Sequence, residues 1–434
     1  MAAYVILMTK RLIASFVVTA RNVPISKIIV RNMNIFKLVR LLKTIYIDRE
    51  PDIALLQRLG LLAVKIGQVY ALRPDFLGDE RCRALSRLYS NTESLPPEDA
   101  IKLIEAYAGP DFLSNFTSFE AKPFASASIG QVHRAVLKTG EQVAVKLVKR
   151  DYARNFRRDV NSVRKLFRFA ILFYPKLRGV ANPVSLLHQI EKMTLGELDL
   201  RNEVSGWKQL QEIYESNKDR FDLSRLRFRR VFEELSSENI LVSQYAEGPT
   251  LDELLSKGEL GYASLLELFH LHGFFMFAIG TFHGDIHPGN IVLHEDRFYF
   301  LDTGYIGSVP ERMRKNLFAF FEALSEDDYK ASARCLNAMA ERPIDGRQFA
   351  GFESRFLDLY ADFKGKTVSQ VSLTKKMMQT IRLGVLCGMH FDEGMFDIIK
   401  SLMYLDGMVI RANPSAVLLK DMRRFIQDFK AVMD

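Results

Sequence analysis

Residues 283–290 read HGDIHPGN, and residues 302–304 read DTG. Two short apolar runs lie between these motifs and are joined by a two-residue turn, which predicts a β-hairpin. Phosphoryl transfer requires a carboxylate that orients the attacking hydroxyl or water, and oxygen ligands that hold magnesium on the phosphates. We therefore predict a catalytic role for Asp285 and a metal-binding role for Asn290 and Asp302.

The order and spacing of these residues follow the pattern of a kinase-like site. In kinase catalytic loops a metal-binding Asn lies five residues after the catalytic Asp, as Asn290 lies after Asp285. Each residue alone would often cap a turn or end a strand, but the ordered set favours the catalytic interpretation. Thr303 stands where Asp-Phe-Gly has its phenylalanine, so the usual aromatic switch is absent. We expect His283 and His287 to orient the loop through hydrogen bonds, because magnesium prefers oxygen ligands.

A lysine and a small-residue loop upstream predict a nucleotide site. Residues 143–146 read VAVK and match the strand whose lysine, here Lys146, contacts the α- and β-phosphates. The loop FASASIGQ at 124–131 lies before the predicted hairpin, in the position of a phosphate-covering Gly-rich loop. Only Gly130 is a glycine there, so we expect a stiffer backbone, since Ala and Ser adopt positive φ with difficulty. The predicted nucleotide-binding residues of this region are Lys146, Ala125, Ser126, Ala127, Ser128, Ile129 and Gly130.

The predicted secondary structure changes character along the chain. A helix should begin at Pro51-Asp52 and end near Pro74, and another should begin at Pro97 and end at Gly109. The later elements predicted are a β-hairpin over 131–146, helices across 150–217, a strand at 239–245, a buried apolar helix at 263–282, and helices from 310 to 434. This order of a helical extension, a β-rich lobe and an α-rich lobe predicts an α+β fold with a cleft suited to a nucleotide.

Two further motifs point to a family. Residues 65–68 read KIGQ and residues 197–199 read ELD; with the Ala/Ser-rich loop, they resemble the UbiB-type, AarF-domain atypical kinases. The resemblance extends from about 35 to 420 and includes RPD at 73–75 and QVH at 131–133. It implies a protein-kinase-like two-lobed fold, with a β-rich N-lobe, an α-rich C-lobe and a helical N-terminal extension laid over the cleft.

The resemblance implies a gate beside the catalytic centre. Lys65 and Gln68 lie one helical turn apart and therefore share a face of the predicted helix. In the family this motif reaches toward the place where a protein substrate would enter, and two acidic residues are its carboxylate partners. The gate residues implied here are Lys65, Gly67, Gln68, Glu197 and Asp199.

The resemblance also implies further nucleotide contacts. Glu203 is implied as the partner of Lys146, which fixes that lysine over the phosphates. From the residues alone, the choice among Glu197, Asp199 and Glu203 stays open. Residues 244–248 would link the lobes, and the linker residues implied to meet the adenine are Gln244, Tyr245 and Ala246.

The net charge of +8 is concentrated in the N-terminal segment 1–47, which holds eight Lys and Arg residues and no Asp or Glu. The rest of the chain is neutral overall, which argues against a nucleic-acid partner. Apolar runs alternate with the basic residues and predict an amphipathic segment. Binding to an anionic membrane surface, packing on the main domain with a solvated basic face, and an organellar transit peptide stay open as interpretations.

We predict four parts of the chain and a cytoplasmic, peripheral-membrane location. The parts are the basic amphipathic segment 1–47, the helical extension 48–120 with the KxGQ motif, the N-lobe with inserted helices at 121–248, and the C-lobe at 249–434. Three scattered cysteines argue against a disulfide framework or zinc site and favour a reducing compartment. Many bacterial family members end in membrane-spanning helices, and no such apolar tail appears here; a bacterial cytoplasm is expected, with an organellar matrix as the alternative.

The motifs together predict an atypical kinase or ATPase that uses ATP (or ADP) and Mg²⁺. The resemblance implies support of isoprenoid-quinone or related lipid metabolism at a membrane surface, with an anionic lipid surface and quinone-biosynthesis proteins as partners. Homo-oligomerisation stays open. The alternatives are a small-molecule kinase of the aminoglycoside or choline kinase kind, and a nucleotide-gated lipid-binding scaffold with little turnover. An ordinary protein kinase is the least favoured interpretation, because the extension should block a polypeptide substrate.

Overall fold

The computed structural model describes residues 33–48, 50–71, 77–88, 94–149, 152–173, 183–392 and 394–433. Most of the basic segment and the RPD motif therefore lie outside the described residues. The chain divides into two compact units, and each is described by itself. The first unit is Met1–Arg201 with Val231–Tyr245, and the second is Asn202–Arg230 with Ala246–Asp434.

Helices dominate the described residues. They are α1 (Ile35–Tyr46), α2 (Ile53–Leu59), α3 (Leu61–Ala71), α4 (Asp79–Ser86), α5 (Pro97–Ala108), α6 (Tyr152–Phe173), α7 (Pro183–Glu197), α8 (Arg201–Asn217), α9 (Leu251–Lys257), α10 (Tyr262–Gly273), α11 (Glu311–Ser325), α12 (Tyr329–Met339), α13 (Gly346–Tyr360), α14 (Leu373–Leu386), α15 (Gly394–Ala412), α16 (Leu418–Met422) and α17 (Ile426–Met433). Short 3-10 turns include Phe112–Asn115 and Pro288–Asn290.

The strands of the described residues are short and fall into three sheets. They are β1 (Phe116–Phe119), β2 (Ala125–Ser126), β3 (Gly130–Leu137), β4 (Gln142–Val148), β5 (Leu226–Arg227), β6 (Ile240–Gln244), β7 (Thr281–His283), β8 (Ile291–His294), β9 (Arg297–Phe300) and β10 (Ile306–Ser308).

The sheet of the first unit is antiparallel, in the order β1-β3-β4-β6, with β2 paired to β3. The predicted hairpin is confirmed as β3–β4, in which Gly130 pairs with Val148. Its turn contains Gly140 at φ +90, a conformation that glycine adopts without strain. Strand residues and α5 form one buried core, which includes Ala100, Ile104, Leu137, Val143, Val145, Leu147, Ile240 and Val242.

The helix predicted to run from Pro51 toward Pro74 is instead two helices, α2 and α3. The Asp52 side chain caps α2 and accepts a hydrogen bond from the Leu55 amide at 2.8 Å. Gly60 then takes φ +104, a backbone conformation that ends a helix and that other residues rarely adopt. The sequence-based prediction overlooked this break; the predicted end near Pro74 lies outside the described residues.

Helix α1 is the described part of the basic N-terminal segment. Leu38, Leu41 and Ile45 are buried on one face, whereas the Lys43 side chain is 57% exposed. Helix α1 is therefore packed through its apolar face, and the three interpretations of residues 1–47 stay predictions.

A long apolar helix leads to the HGD motif in the second unit. Helix α10 continues into a π-helical turn, Phe274–Ile279, and ends at Gly280, directly before β7. Among the described residues, Tyr262–Ile279 is the one helix long and apolar enough to span a membrane, and 67% of it is buried within the structure. This burial agrees with the predicted buried helix.

In the described part of the second unit, two small sheets flank the HGDIHPGN and DTG motifs. Strand β7 pairs with β10, and β9 lies between β5 and β8. The predicted hairpin is confirmed as β8–β9, whose turn residues Glu295 and Asp296 have φ +47 and +62. Such values are typical of a two-residue type I′ turn, which matches the twist of the flanking strands. From α11 onward the unit is helical, as predicted.

Candidate active site

A two-stranded ladder brings the two predicted motifs of the second unit side by side. His283 at the end of β7 pairs with Ile306 at the start of β10. The Gly284 amide then donates to the Tyr305 carbonyl at 2.9 Å, which extends the contact by one step. Because one motif follows β7 and the other precedes β10, the ladder fixes Asp285 and Asp302 on neighbouring loops.

Asn290 is held against Asp285 within the catalytic loop. Its side-chain nitrogen, Nδ2, lies 3.1 Å from the Asp285 backbone carbonyl oxygen and 3.3 Å from the carboxylate Oδ2. The backbone amide of Asn290 donates to the His287 carbonyl at 2.8 Å, and the backbone carbonyl of Asn290 accepts from the Leu301 amide at 2.8 Å. The side-chain nitrogen thus faces Asp285, and the amide oxygen is the Asn290 atom suited to a cation.

The two histidines of the loop bond to backbone groups, as the sequence predicted. His283 Nδ1 accepts from the Asp285 amide, and His287 Nδ1 accepts from the Gly289 amide, each at 3.1 Å. Burial lowers the pKa of both imidazoles, so both are neutral acceptors at pH 7. Both therefore orient the loop that carries Asp285.

Glu203 and Asp302 share a charged neighbourhood with Arg229, which sequence reasoning missed. The Arg229 guanidinium donates to the Leu301 carbonyl. Burial lowers the pKa of Arg229, while the carboxylates of Glu203 and Asp302 act in the opposite direction. Thr303 completes the arrangement, because its hydroxyl donates to the Glu203 carbonyl at 2.7 Å. The DTG motif is thus fixed to helix α8.

A second missed residue, Lys400 of α15, contacts the predicted catalytic carboxylate. Its Nζ lies 3.0 Å from Asp285 Oδ1, and its side chain is 8% exposed. Burial favours the neutral form of Asp285, but Lys400 and His287 together outweigh burial and hold the pKa of Asp285 below its ordinary value. The only sequence signal was a lysine inside an otherwise apolar helical run, which does not reveal its partner.

In the first unit, the KxGQ motif lies on α3. Lys65 forms an ion pair with Glu197 at the end of α7, and the Lys65 side chain is 11% exposed. Gln68 Nε2 donates to the Leu88 carbonyl at 3.0 Å. A Cβ on Gly67 would lie 2.5 Å from Leu88 Cδ1, so glycine permits this close packing.

The structure separates the two carboxylates that the resemblance assigned together to the gate. Asp199 bonds to the Arg201 side chain at 2.7 and 2.8 Å and also accepts from the Arg201 amide at 3.1 Å. Its Arg201 hydrogen bonds hold the pKa of Asp199 below its ordinary value. Asp199 lies just before α8 and accepts from a free backbone amide of its first turn. Of the two carboxylates, Glu197 is the one that contacts Lys65.

The predicted phosphate loop is tied down by Lys149, the third missed residue. Ala125 and Ser126 form β2, and Lys149 Nζ donates to Ser126 Oγ at 2.8 Å and to the Ala127 carbonyl at 2.7 Å. The Lys149 amide also donates to the Ile129 carbonyl at 2.9 Å. These bonds agree with the stiff loop that its Ala/Ser composition predicts.

The remaining predicted nucleotide residues of the first unit lie on its sheet. Lys146 in β4 pairs with Val132, and its Cε is 3.8 Å from the position of a Cβ on Gly130. The Tyr245 hydroxyl accepts from Arg134 at 2.7 Å. Gln244 ends β6; the first unit ends at Tyr245 and the second resumes at Ala246, within the predicted linker. The pairing of Lys146 with Glu203 stays a prediction.

Comparison with known proteins identifies the class. Residues 87–336, more than half of the chain, match the model of the ABC1 atypical kinase-like domain, and the chain belongs to this family. The predicted family and the protein-kinase-like α+β fold are thereby confirmed.

Two bacterial relatives are longer than this chain. The chain is 27% identical over 387 residues to the "Probable protein kinase UbiB" of Pseudomonas paraeruginosa, covering 86% of this chain and 70% of that protein. It is 24% identical over 368 residues to an "Uncharacterized protein in hydrogenase 1 5'region" of Clostridium pasteurianum, covering 82% of this chain and 66% of that protein. A Mycobacterium tuberculosis protein solved in complex with erythromycin is 21% identical, with a TM-score of 0.49 and coverage of 81% and 91% of the two chains.

Proposed function

We propose that this protein is an ATP-binding, magnesium-dependent atypical kinase or ATPase of the UbiB type. The observation that carries the proposal is the β7–β10 ladder, which fixes Asp285, its partner Asn290 and Asp302 on adjoining loops. Membership of an atypical kinase-like family supports the same chemistry. Both carboxylates and the amide occur in the sequence order of the corresponding kinase motifs.

The side chains present fit a magnesium ion held on phosphates. Among the described residues, no group of three His, Cys, Asp or Glu side chains is placed to hold a metal ion by itself. Magnesium in nucleotide sites is usually bound by one or two protein oxygens, with phosphate oxygens and water completing the shell. Asn290 and Asp302 would supply those oxygens, and the ion would neutralise charge on the phosphates.

Each remaining residue then has a definite task. Asp285, which is paired with Lys400, would orient the acceptor hydroxyl or water and accept its proton. Lys146 would contact the α- and β-phosphates, and the loop fixed by Lys149 would cover them. The Lys65–Glu197 pair would hold the KxGQ helix in place.

We extend the proposal to isoprenoid-quinone or related lipid metabolism at an anionic membrane surface. The support is the name UbiB carried by the Pseudomonas relative and the basic composition of residues 1–47. The chain covers 66 to 70% of the length of these relatives. The proposed role is therefore one that the shared part of their sequence would perform.

The test is phosphate release from magnesium-ATP, with and without anionic liposomes, combined with measurement of nucleotide affinity. Asp285→Asn should lower kcat by about 100-fold or more while nucleotide still binds, because the general base is lost. Asp302→Asn should weaken magnesium-nucleotide binding by about 10-fold or more, because a metal ligand loses its charge.

Asp358→Asn is the matched control, since it makes the same change at an exposed position of α13 in the same unit. Unchanged affinity for magnesium-ATP in Asp302→Asn would contradict the proposed metal site. Nucleotide binding with no release by the wild-type protein, with or without liposomes, would favour a nucleotide-gated scaffold over an ATPase.

A further inference from the structure

Lys400 is a buried cation that reaches the catalytic loop from a helix outside the predicted motifs. Its Nζ lies 3.0 Å from Oδ1 of Asp285, and the Asn290 amide nitrogen lies 3.3 Å from Oδ2 of the same carboxylate. The carboxylate is therefore held at both oxygens, by Lys400 on one side and by Asn290 on the other.

The same face of α15 makes further contacts with the loops of the site. The Asp397 carboxylate accepts from the Tyr305 hydroxyl at 2.5 Å. Lys400 Nζ lies 5.3 Å from the ring centre of Tyr305 and 5.9 Å from that of Tyr404, within reach of cation–π attraction. The Tyr404 ring lies 5.4 Å from the His287 ring. Spacings of three and four place these α15 residues on one helix face.

Stability alone gives a poor explanation of this ion pair. Ile398 and Leu402, neighbours of Lys400 in α15, are buried apolar residues, so an apolar side chain would suit the position. Burying an ammonium requires loss of its hydration, and replacing a buried ion pair by apolar residues is often neutral or stabilising. The pair therefore calls for a role in the site.

We propose that Lys400 is a positioning residue for Asp285, and that α15 thereby belongs to the catalytic apparatus. Lys400 restricts the carboxylate to one orientation. The rings of Tyr305 and Tyr404 in turn restrict Lys400, and Asp397 fixes Tyr305 through its hydroxyl. The inference rests on the proposed function, because Lys400 would position Asp285, the residue that would orient the acceptor.

The first experiment compares Lys400→Met with the wild-type protein in magnesium-ATP turnover. Methionine keeps the length of the side chain but lacks the charge. We expect kcat to fall by about 10- to 100-fold, as misorientation of a reacting group commonly costs. KM and nucleotide affinity should change by less than about twofold. The reason is that Lys400 forms its ion pair with Asp285 and not with a predicted metal ligand. Lys400→Arg should recover part of the loss.

Lys376→Met is the matched control for a merely structural effect. Lys376 is also a largely buried lysine on a helix of the second unit: its side chain is 12% exposed, and its Nζ lies 2.8 Å from Asp362. The variant should lose thermal stability to a similar degree and keep its kcat. An equal loss of kcat in both lysine variants, or wild-type kcat in Lys400→Met, would overturn the inference.

A thermal double-mutant cycle separates the inference from the proposed function. The cycle combines Lys400→Met with Asp285→Asn and needs no turnover. Lys400→Met alone should lower Tm by a few degrees, since it leaves a half-buried carboxylate without its cation, and by much less when Asp285 is already Asn. If the wild-type protein releases no phosphate, the proposed ATPase fails while a non-additive cycle still supports Lys400 as the residue that fixes Asp285. Additive shifts would overturn the pairing.

Discussion

At the scale of single residues, Thr303 shows what replaces the aromatic side chain of Asp-Phe-Gly. Its hydroxyl is buried and donates to the Glu203 carbonyl. A buried hydroxyl needs such a partner, because leaving it without one costs about 1–3 kcal/mol. The position that carries a mobile phenylalanine in ordinary kinases is therefore a fixed connection between the DTG motif and α8 here.

Gly206 is the residue that lets α8 approach this motif, and its substitution tests the arrangement. A Cβ built on Gly206 would lie 2.0 Å from the Thr303 carbonyl oxygen, a backbone atom that cannot easily move away. Gly206→Ala should lower the free energy of unfolding by about 1–3 kcal/mol, as overpacking does. Urea denaturation measures the change.

The control is Gly351→Ala, within α13 of the same unit, where nothing lies within 4 Å of the added Cβ. This variant should be stabilised by about 0.5–1 kcal/mol, because alanine is the better helix former. Equal stability of the two variants would contradict the close approach of α8 to Thr303.

Individual residues of the site differ in how far the sequence predicts them. Asp285, Asn290 and Asp302 lie near one another along the chain, so their spacing carries the information. Lys400 and Arg229 reach the same loops from distant segments. Their sequence neighbours do not specify a partner, because contacts between distant segments arise from tertiary packing, which a local pattern does not encode.

At the scale of elements, the conformation of the small-residue loop at 124–131 depends on Lys149, which directly follows β4. Lys149 holds Ser126 and Ala127 through its ammonium. Lys149→Met should raise amide hydrogen exchange across residues 125–130 by about 10-fold or more. Hydrogen bonds to a charged group contribute about 1.5–3 kcal/mol, and 1.4 kcal/mol corresponds to a tenfold change.

Lys138→Met is the control for this exchange experiment, because Lys138 is an exposed lysine in the β3–β4 turn. It should leave exchange at 125–130 unchanged. Unchanged exchange in Lys149→Met as well would show that the backbone of the loop is stiff without the lysine, as its alanines and serines would suggest.

Element boundaries were predictable wherever a residue with a strong conformational preference marks them. The helix α5 begins at Pro97 and ends before Gly109, at φ +90, as the sequence indicated. Gly60 has the same kind of conformation, but apolar residues on both sides continued the helical pattern and concealed the break. Helix α1 is packed through Leu38 and Leu41. Composition alone could not predict whether these apolar residues would be buried against the protein.

At the scale of the whole molecule, burial keeps most histidines neutral. Five of the eight histidines have a pKa that burial lowers: His133, His270, His272, His283 and His287. Each binds a proton more readily in the unfolded chain than in the folded one. The free energy of unfolding should therefore fall as the pH drops below about 6.5, the ordinary pKa of histidine.

His272 in α10 isolates this effect best. Burial lowers its pKa to about 3, and neither ring nitrogen has a hydrogen-bond partner among the described residues. Between pH 6.5 and about 3 the unfolded chain carries a proton on this residue that the folded protein lacks. His272→Leu removes that difference, so between pH 7 and 5 the variant should lose about 2 kcal/mol less stability than the wild-type protein.

The measurement is urea denaturation of both proteins at pH 7 and at pH 5. At pH 7 the variant should be at least as stable as the wild-type protein, because a buried imidazole without partners is replaced by an apolar side chain of similar size. His390→Leu, at an exposed histidine of the same unit, should retain the wild-type loss of stability on acidification. If His272→Leu loses as much stability as the wild-type protein, the acid sensitivity must arise from the other buried histidines, and His272 must be accessible to protons in the folded state.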